Sequence, residues 1–177
     1  MTIKNPAPYK NLQRPFTRKS RVKSKGYIKT VPPSHLLKYT MGNSNKFNNK
    51  GYPIIVHIVS KENAQVRDVA LESIRNHLHR EIELQIGADY YMRVNAAPHQ
   101  ILREHKQAAV AQADRISSGM SLSFGKCVGR AARIHKGNDL LVFGFMDDGA
   151  VAKFRNIFSN AKSKLPILTT TVVEKIK

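Results

Sequence analysis

The chain has 177 residues, which suggests a single domain with room for an appendage. Its one cysteine, Cys127, excludes an internal disulfide and a multi-thiolate metal site, and no apolar run approaches the roughly 20 residues that a membrane span requires. Thirty Lys and Arg against 12 Asp and Glu give a net charge of +18, and without a basic amphipathic helix this excess predicts nucleic acid rather than a membrane as the partner.

The first third of the chain carries most of the positive charge. Residues 1–61 contain 13 Lys or Arg and no Asp or Glu, whereas residues 62–177 contain 17 basic and 12 acidic residues. Prolines and a polar run interrupt any helical or alternating pattern, which predicts a basic extended N-terminal arm over residues 1–51. The arm is either a solubilising tail or a segment that orders along RNA. In the second case its RNA contacts would be Arg14, Arg18, Lys19, Arg21, Lys23, Lys25 and Lys29.

Residues 52–177 are predicted to form one α+β RNA-binding domain. Its first strand, Tyr52–Ser60, is rich in β-branched residues. A helix follows to about Leu84, with Val66 and His77 on its apolar face, and His77 is expected in the core.

Later runs predict further strands and a second helix. Residues 104–118 are small and polar and have no apolar stripe, so they are expected to form a mobile loop. Strands dominate the middle of the domain, which favours a mostly antiparallel sheet with two helices on one face. The predicted elements are strands at Tyr90–Ala97, His99–Arg103, Cys127–Ile134 and Leu140–Phe145 (bulged at Gly144), a helix from Asp147 or Asp148 to Lys162, and a strand at Leu165–Val173.

The stretch from Gly119 to Lys126 superficially resembles a phosphate-binding loop. Five residues separate Gly119 from Gly125-Lys126 where that loop has four, and Cys127 stands where a magnesium-binding Ser or Thr is needed. An RNA-contacting strand explains the residues better. In a regular strand Lys126 and Arg130 share one face and Arg133 points to the other, although a basic strand that is merely solvated remains an alternative.

An RNA-modifying enzyme or nuclease with a basic guide arm is a second class of function. Its candidate groups are Glu104, His105 and Asp114, although acids in an Arg-rich protein more often orient an arginine. None of the seven histidines has the spacing of a zinc site. We therefore expect no metal and no cofactor. The N-terminal sequence also lacks the apolar stretch of a secretory signal, so we expect a cytoplasmic protein.

Several stretches resemble the universal L-sixteen family of large-subunit ribosomal proteins, in its archaeal and eukaryotic L-ten-e form. The longest is ADRISSGMSLSFGKCVGRAARI, Ala113–Ile134, which is similar to a run of the family that has Pro at position 127 and Thr at position 130. The others are RPFTRK (Arg14–Lys19), VPPSHLLKYTMGN (Val31–Asn43), VRDVALESIR (Val66–Arg75) and PHQILREHK (Pro98–Lys106).

The resemblance implies an α/β hammerhead-like fold and a structural role without catalytic residues. It implies binding of large-subunit rRNA, with Lys126 and Arg133 at positions that match the family, and contacts with neighbouring large-subunit proteins. Arg130 departs from the family pattern, and its predicted rRNA contact rests on the spacing of the basic residues alone. It also implies that the loop at about 104–118 reaches the acceptor arms of tRNA near the peptidyl-transferase centre. The tRNA-proximal residues would be Arg103, His105, Lys106, Gln107, Gln112 and Arg115.

Overall fold

The computed structural model describes Lys10, Leu12 and residues 30–104 and 125–176. These residues form eight strands, three helices and one short 3-10 turn. Among them, no helix has the length and apolar character needed to cross a bilayer. The elements in chain order are β1 Thr40–Gly42, α1 Ser44–Asn48, β2 Ile54–Ser60, β3 Ala64–Arg67, α2 Asp68–Gln85, β4 Tyr91–Val94, β5 Gln100–Glu104, β6 Lys126–Ile134, β7 Asp139–Phe145, α3 Asp148–Ala161, the turn Lys162–Lys164, and β8 Thr169–Lys175.

The strands form two sheets in which every described pair is antiparallel. The larger sheet has the order β1-β4-β7-β2-β8, and the smaller has the order β3-β6-β5. This arrangement confirms the predicted α+β class and its mostly antiparallel pairing.

One apolar core lies between the inner face of the larger sheet and the two long helices. Burial alternates along β2, as expected for a strand with one face in the core. Phe154 of α3 packs against Phe143 and Phe145 of β7, with ring centroids 4.4 and 5.2 Å apart. The predicted inward residues of α3 are all buried, which confirms this helix: Val151, Phe154, Ile157, Phe158 and Ala161.

The first long helix begins later than predicted, because Ala64–Arg67 is a strand. Val66 pairs with Ala132 of β6 and is fully buried there. Val66 is spaced from the apolar residues of α2 as in a helix, but this spacing is a coincidence. Pairing with β6 outweighs the local helical pattern at Val66. His77 is only half-buried, whereas Arg75 is 7% exposed, so the placement of His77 in the core was also wrong.

The predicted bulge lies in the correct strand but at the wrong residue. Gly144 pairs regularly with Ile55, whereas the register between β2 and β7 shifts at Leu140. Gly144 has a packing role instead, since a Cβ atom there would lie 3.0 Å from the ring of Tyr52.

The last part of the segment assigned to the arm belongs to the folded domain. Leu36 and Met41 are buried in the core, and β1 pairs with β4. Gly42 has a φ of +76°, and a Cβ atom there would lie 2.0 Å from the Tyr90 carbonyl oxygen. Glycine is therefore needed where the chain leaves β1.

Candidate nucleic-acid interface

A β-bulge in β6 decides which basic side chains share a face of the smaller sheet. Arg103 pairs with Cys127 and Leu102 pairs with Gly129, so Val128 is an extra residue on β6. Because of this extra residue, Lys126 and Arg130 lie on opposite faces of the sheet, although four positions separate them in sequence. Directly paired residues lie on the same face.

Pairing then assigns each basic residue of β6 to a face. Lys126 is opposite Glu104 and Arg133 is opposite Gln65, both on the face of Leu102, whereas Arg130 is opposite Ile101 on the other face. The expectation that Lys126 and Arg130 share a face was therefore wrong, because a regular strand was assumed.

Lys126 and Arg133 are both exposed, and neither forms an ion pair among the described residues. They are separated by about 20 Å along the strand, at roughly 3.3 Å per residue. Two exposed cations on one strand at this separation can neutralise two phosphates of one nucleic-acid backbone.

Arg130 points toward the segment that leads out of the arm. Its Nε atom donates a hydrogen bond to the Pro32 carbonyl oxygen at 2.7 Å, and the side chain is half-buried. Part of its hydrogen-bonding capacity is thus used within the chain. Arg130 fastens residues near position 32 to β6.

A buried carboxylate fastens the same segment to α2. Asp68 is 1% exposed, and its Oδ2 atom accepts a hydrogen bond from the His35 backbone N–H at 3.0 Å and lies 2.9 Å from His35 Nδ1. Its Oδ1 atom accepts from the Val69 N–H at 2.9 Å. Arg130 and Asp68 together hold the point at which the N-terminal segment joins the domain.

Arg103 is the one predicted tRNA-proximal residue that the structure describes. It lies in β5, and its side chain is buried, with only 2% exposed. The other predicted tRNA-proximal residues, and two of the three candidate catalytic groups, lie outside the described residues. They are His105, Lys106, Gln107, Gln112, Arg115 and Asp114.

The predicted contacts of the arm also lie outside the described residues: Arg14, Arg18, Lys19, Arg21, Lys23, Lys25 and Lys29. In the part of the chain that is described, no three His, Cys, Asp or Glu side chains are placed to hold a metal ion.

Several of the few acidic residues are neutralised by internal cations. Lys10 donates a hydrogen bond to Glu62, which holds the pKa of that carboxyl below its usual range. The Lys46 ammonium likewise lowers the pKa of Asp89. Burial and the hydrogen bond to Asp89 raise the pKa of Tyr52 to about 12, so its hydroxyl stays protonated at neutral pH.

Glu72 is neutralised by Arg75 within α2. Arg75 Nε donates to Glu72 Oε2 at 2.8 Å, and its Nη2 atom contacts Oε1, so the pKa of Glu72 is lowered and that of Arg75 is raised. Internal pairing of acids leaves much of the positive charge available to a partner.

Sequence reasoning missed a group of cations after α3. Lys162 and Lys164 lie in the turn that follows this helix, and both are exposed. Arg67, at the end of β3, lines the same cavity as Lys164. The sequence signal was Lys-Ser-Lys before Leu165-Pro166, where the predicted helix ended at Lys162 and the predicted strand began at Leu165.

Comparison with known proteins places this surface in context. Residues 13–172 match the family described as Ribosomal protein L16p/L10e. A protein of Archaeoglobus fulgidus named Large ribosomal subunit protein uL16 is 37% identical over 169 residues, which cover 94% of this chain and 90% of that protein. A protein of Methanoculleus marisnigri with the same name is 35% identical over 98% of this chain and 97% of that protein. Another, of Methanococcus maripaludis, is 38% identical over 93% of this chain and 90% of that protein.

Proposed function

Because the chain belongs to the ribosomal protein L16p/L10e family, we propose that it is a structural constituent of the large ribosomal subunit in the cytoplasm, where it binds rRNA. The observation that carries this proposal is the family match over residues 13–172, which spans both the basic N-terminal segment and the folded domain. Neighbouring large-subunit proteins are its further partners. The enzyme alternative has no support from a family of structural ribosomal proteins.

Two exposed cations of β6 support the binding of rRNA. Lys126 and Arg133 are exposed on one strand and form no ion pair with the described residues. Phosphate contacts made by such side chains give affinity and position without reading sequence. The net charge of +18 supplies the long-range attraction that brings the chain to RNA.

Sedimentation tests the assignment to the large subunit. A tagged chain is expected to migrate with large subunits and whole ribosomes in a sucrose gradient and to remain there after a moderate salt wash. Loose electrostatic binding weakens steeply with salt, by about 0.9 log units per phosphate contact and decade on duplex DNA. Recovery only at the top of the gradient would contradict the proposal.

Substitutions on β6 test the phosphate contacts. Lys126→Ala and Arg133→Ala are each expected to lower affinity for large-subunit rRNA and to reduce the salt slope by about 0.7–0.9. Lys175→Ala is the matched control, because the Lys175 ammonium is already paired with Asp148 at 2.8 Å. Equal slopes in all three variants would argue against a role for this face.

The contact with tRNA is the finer part of the proposal. Glu104 pairs with Lys126, so the chain leaves β5 and re-enters β6 at the same end of the smaller sheet. The intervening segment therefore departs from and returns to one point, which suits a loop that reaches out to the acceptor arm of tRNA. A photoreactive tRNA in programmed ribosomes is expected to crosslink to residues 105–118, and Arg115→Ala should reduce that yield. Crosslinks confined to other proteins would refute the contact.

A further inference from the structure

A cavity lies where β3, the first turns of α2 and the turn after α3 meet. Its volume is about 360 Å³, and it is lined by both apolar and polar side chains. This volume is at the small end of the range for ligand pockets, roughly 300–1,000 Å³. The lining includes Gln65, Arg67, Val69, Ser73, Lys164 and Pro166.

The cavity and its surroundings are positively charged. Arg67 and Lys164 line it, and none of the described residues that line it is acidic. An adjoining groove shares Ser163 and Pro166 with the cavity and adds Lys162. Glu62, the one acid among the described residues of that groove, is already paired with Lys10 at 2.9 Å.

The two lysines of this region have their charges available. Lys162 and Lys164 are exposed, and neither forms an ion pair among the described residues. An ammonium that is free beside a cavity can bind a phosphate of a ligand whose other part enters the cavity.

The lining suits a nucleobase joined to a phosphate. Val69 and Pro166 offer apolar surface to the faces of a ring, and a guanidinium such as that of Arg67 stacks on bases. Lys164, at the rim, is placed for the phosphate.

We propose that this cavity receives one unpaired nucleotide of large-subunit rRNA, with the base among Arg67, Val69 and Pro166 and the phosphate on Lys164. The inference rests on the proposed function and names a different kind of rRNA contact close to Arg133, because Gln65, which pairs with Arg133, lines the cavity. An unpaired nucleotide fits better than a duplex, because stacked and paired bases cannot enter a cavity.

Two variants of the full-length chain separate the base from the phosphate. Ser73 is exposed on α2 and lines the cavity, so Ser73→Trp fills the space for the base without disturbing the core. Lys164→Ala removes the cation at the rim. The probes are single-stranded oligouridylate and an abasic oligonucleotide of the same length, and the measurement is fluorescence anisotropy at a salt concentration that keeps the parent in the micromolar range.

Ser73→Trp is expected to weaken binding of oligouridylate about tenfold, the loss that corresponds to one stacked base, and to leave the abasic probe unaffected. Lys164→Ala is expected to weaken both probes. Lys175→Ala again serves as the charge-matched control and should change neither.

Each result has a distinct meaning. If Ser73→Trp binds both probes as the parent does, or weakens both equally, the cavity does not hold a base and the inference is wrong. In that case, losses of rRNA affinity in Lys126→Ala and Arg133→Ala would still support the proposed function. Failure of the chain to sediment with large subunits would instead overturn the proposed function itself.

Discussion

The buried carboxylate of Asp68 is expected to be a major determinant of stability where the N-terminal segment joins the domain. Asp68→Ala removes the acceptor for two backbone N–H groups, those of His35 and Val69, and for the His35 imidazole. The carboxylate is 1% exposed, so water cannot easily replace it without a change in packing. The substitution therefore leaves donors without their partner.

The expected loss follows from the number of donors. Leaving a buried donor unsatisfied costs about 1–3 kcal/mol, so two backbone donors predict a decrease of about 3 kcal/mol in the free energy of unfolding. With a urea m-value of about 2 kcal/mol/M, the midpoint should fall by about 1.5 M. His35→Ala is the matched control, because its backbone N–H remains and its side chain is 59% exposed. That variant should lose less than about 1 kcal/mol.

Urea unfolding followed by circular dichroism measures both variants. Limited trypsin digestion adds a local measurement, since Lys38 is exposed just beyond the fastened segment and should be cleaved faster in Asp68→Ala. A decrease of less than 1 kcal/mol in Asp68→Ala would refute the role of the carboxylate. An equal loss in His35→Ala would assign the effect to the side-chain pair instead of the backbone donors.

Two further predictions concern backbone geometry and pH. Gly42→Ala should lower the free energy of unfolding by about 2–3 kcal/mol in thermal unfolding, because the φ of Gly42 is positive and the new Cβ atom would overlap a carbonyl oxygen. Gly149→Ala is the control and should be neutral or slightly stabilising, because the space around Gly149 is open. Arg75 depresses the pKa of Glu72, so this ion pair contributes stability above the usual pKa of a Glu carboxyl and loses it as the pH falls through the lowered value. Glu72→Gln should therefore flatten the decline in unfolding free energy between pH 7 and pH 3 by about 1 kcal/mol, and parallel curves for parent and variant would contradict this.

Elements with a strong local pattern could be predicted from the sequence. The run at 54–60 is β-branched and apolar, and α3 places its apolar residues three and four apart, so each element buries the face that its own residues define. Long-range pairing decided the elements that were missed. Val66 lies in β3 because Ala132, 66 positions along the chain, provides a partner strand, and a local pattern contains no information about that partner.

The candidate site shows the same division between local and non-local information. The basic residues of β6 are evident in the sequence, but the bulge at Val128 is visible only in the register with β5. The cations around the cavity come from β3 and from the turn after α3, which are about 100 residues apart and meet only through packing. The sequence shows that these residues are basic, but it does not show which of them lie together on one surface.

One extra residue on β6 therefore changes what the family resemblance means for individual side chains. Without the bulge, Arg130 would stand beside Lys126, and it would be the natural second phosphate contact. With the bulge, Arg133 lies on the same face as Lys126 and becomes the second phosphate contact. Arg130 lies on the other face, where its hydrogen bond to Pro32 holds the segment that leads to the arm. This internal hydrogen bond gives the arginine at position 130 a structural role. Affinity for RNA is expected to depend on Arg133 more than on Arg130, while the anchoring of the arm depends on Arg130.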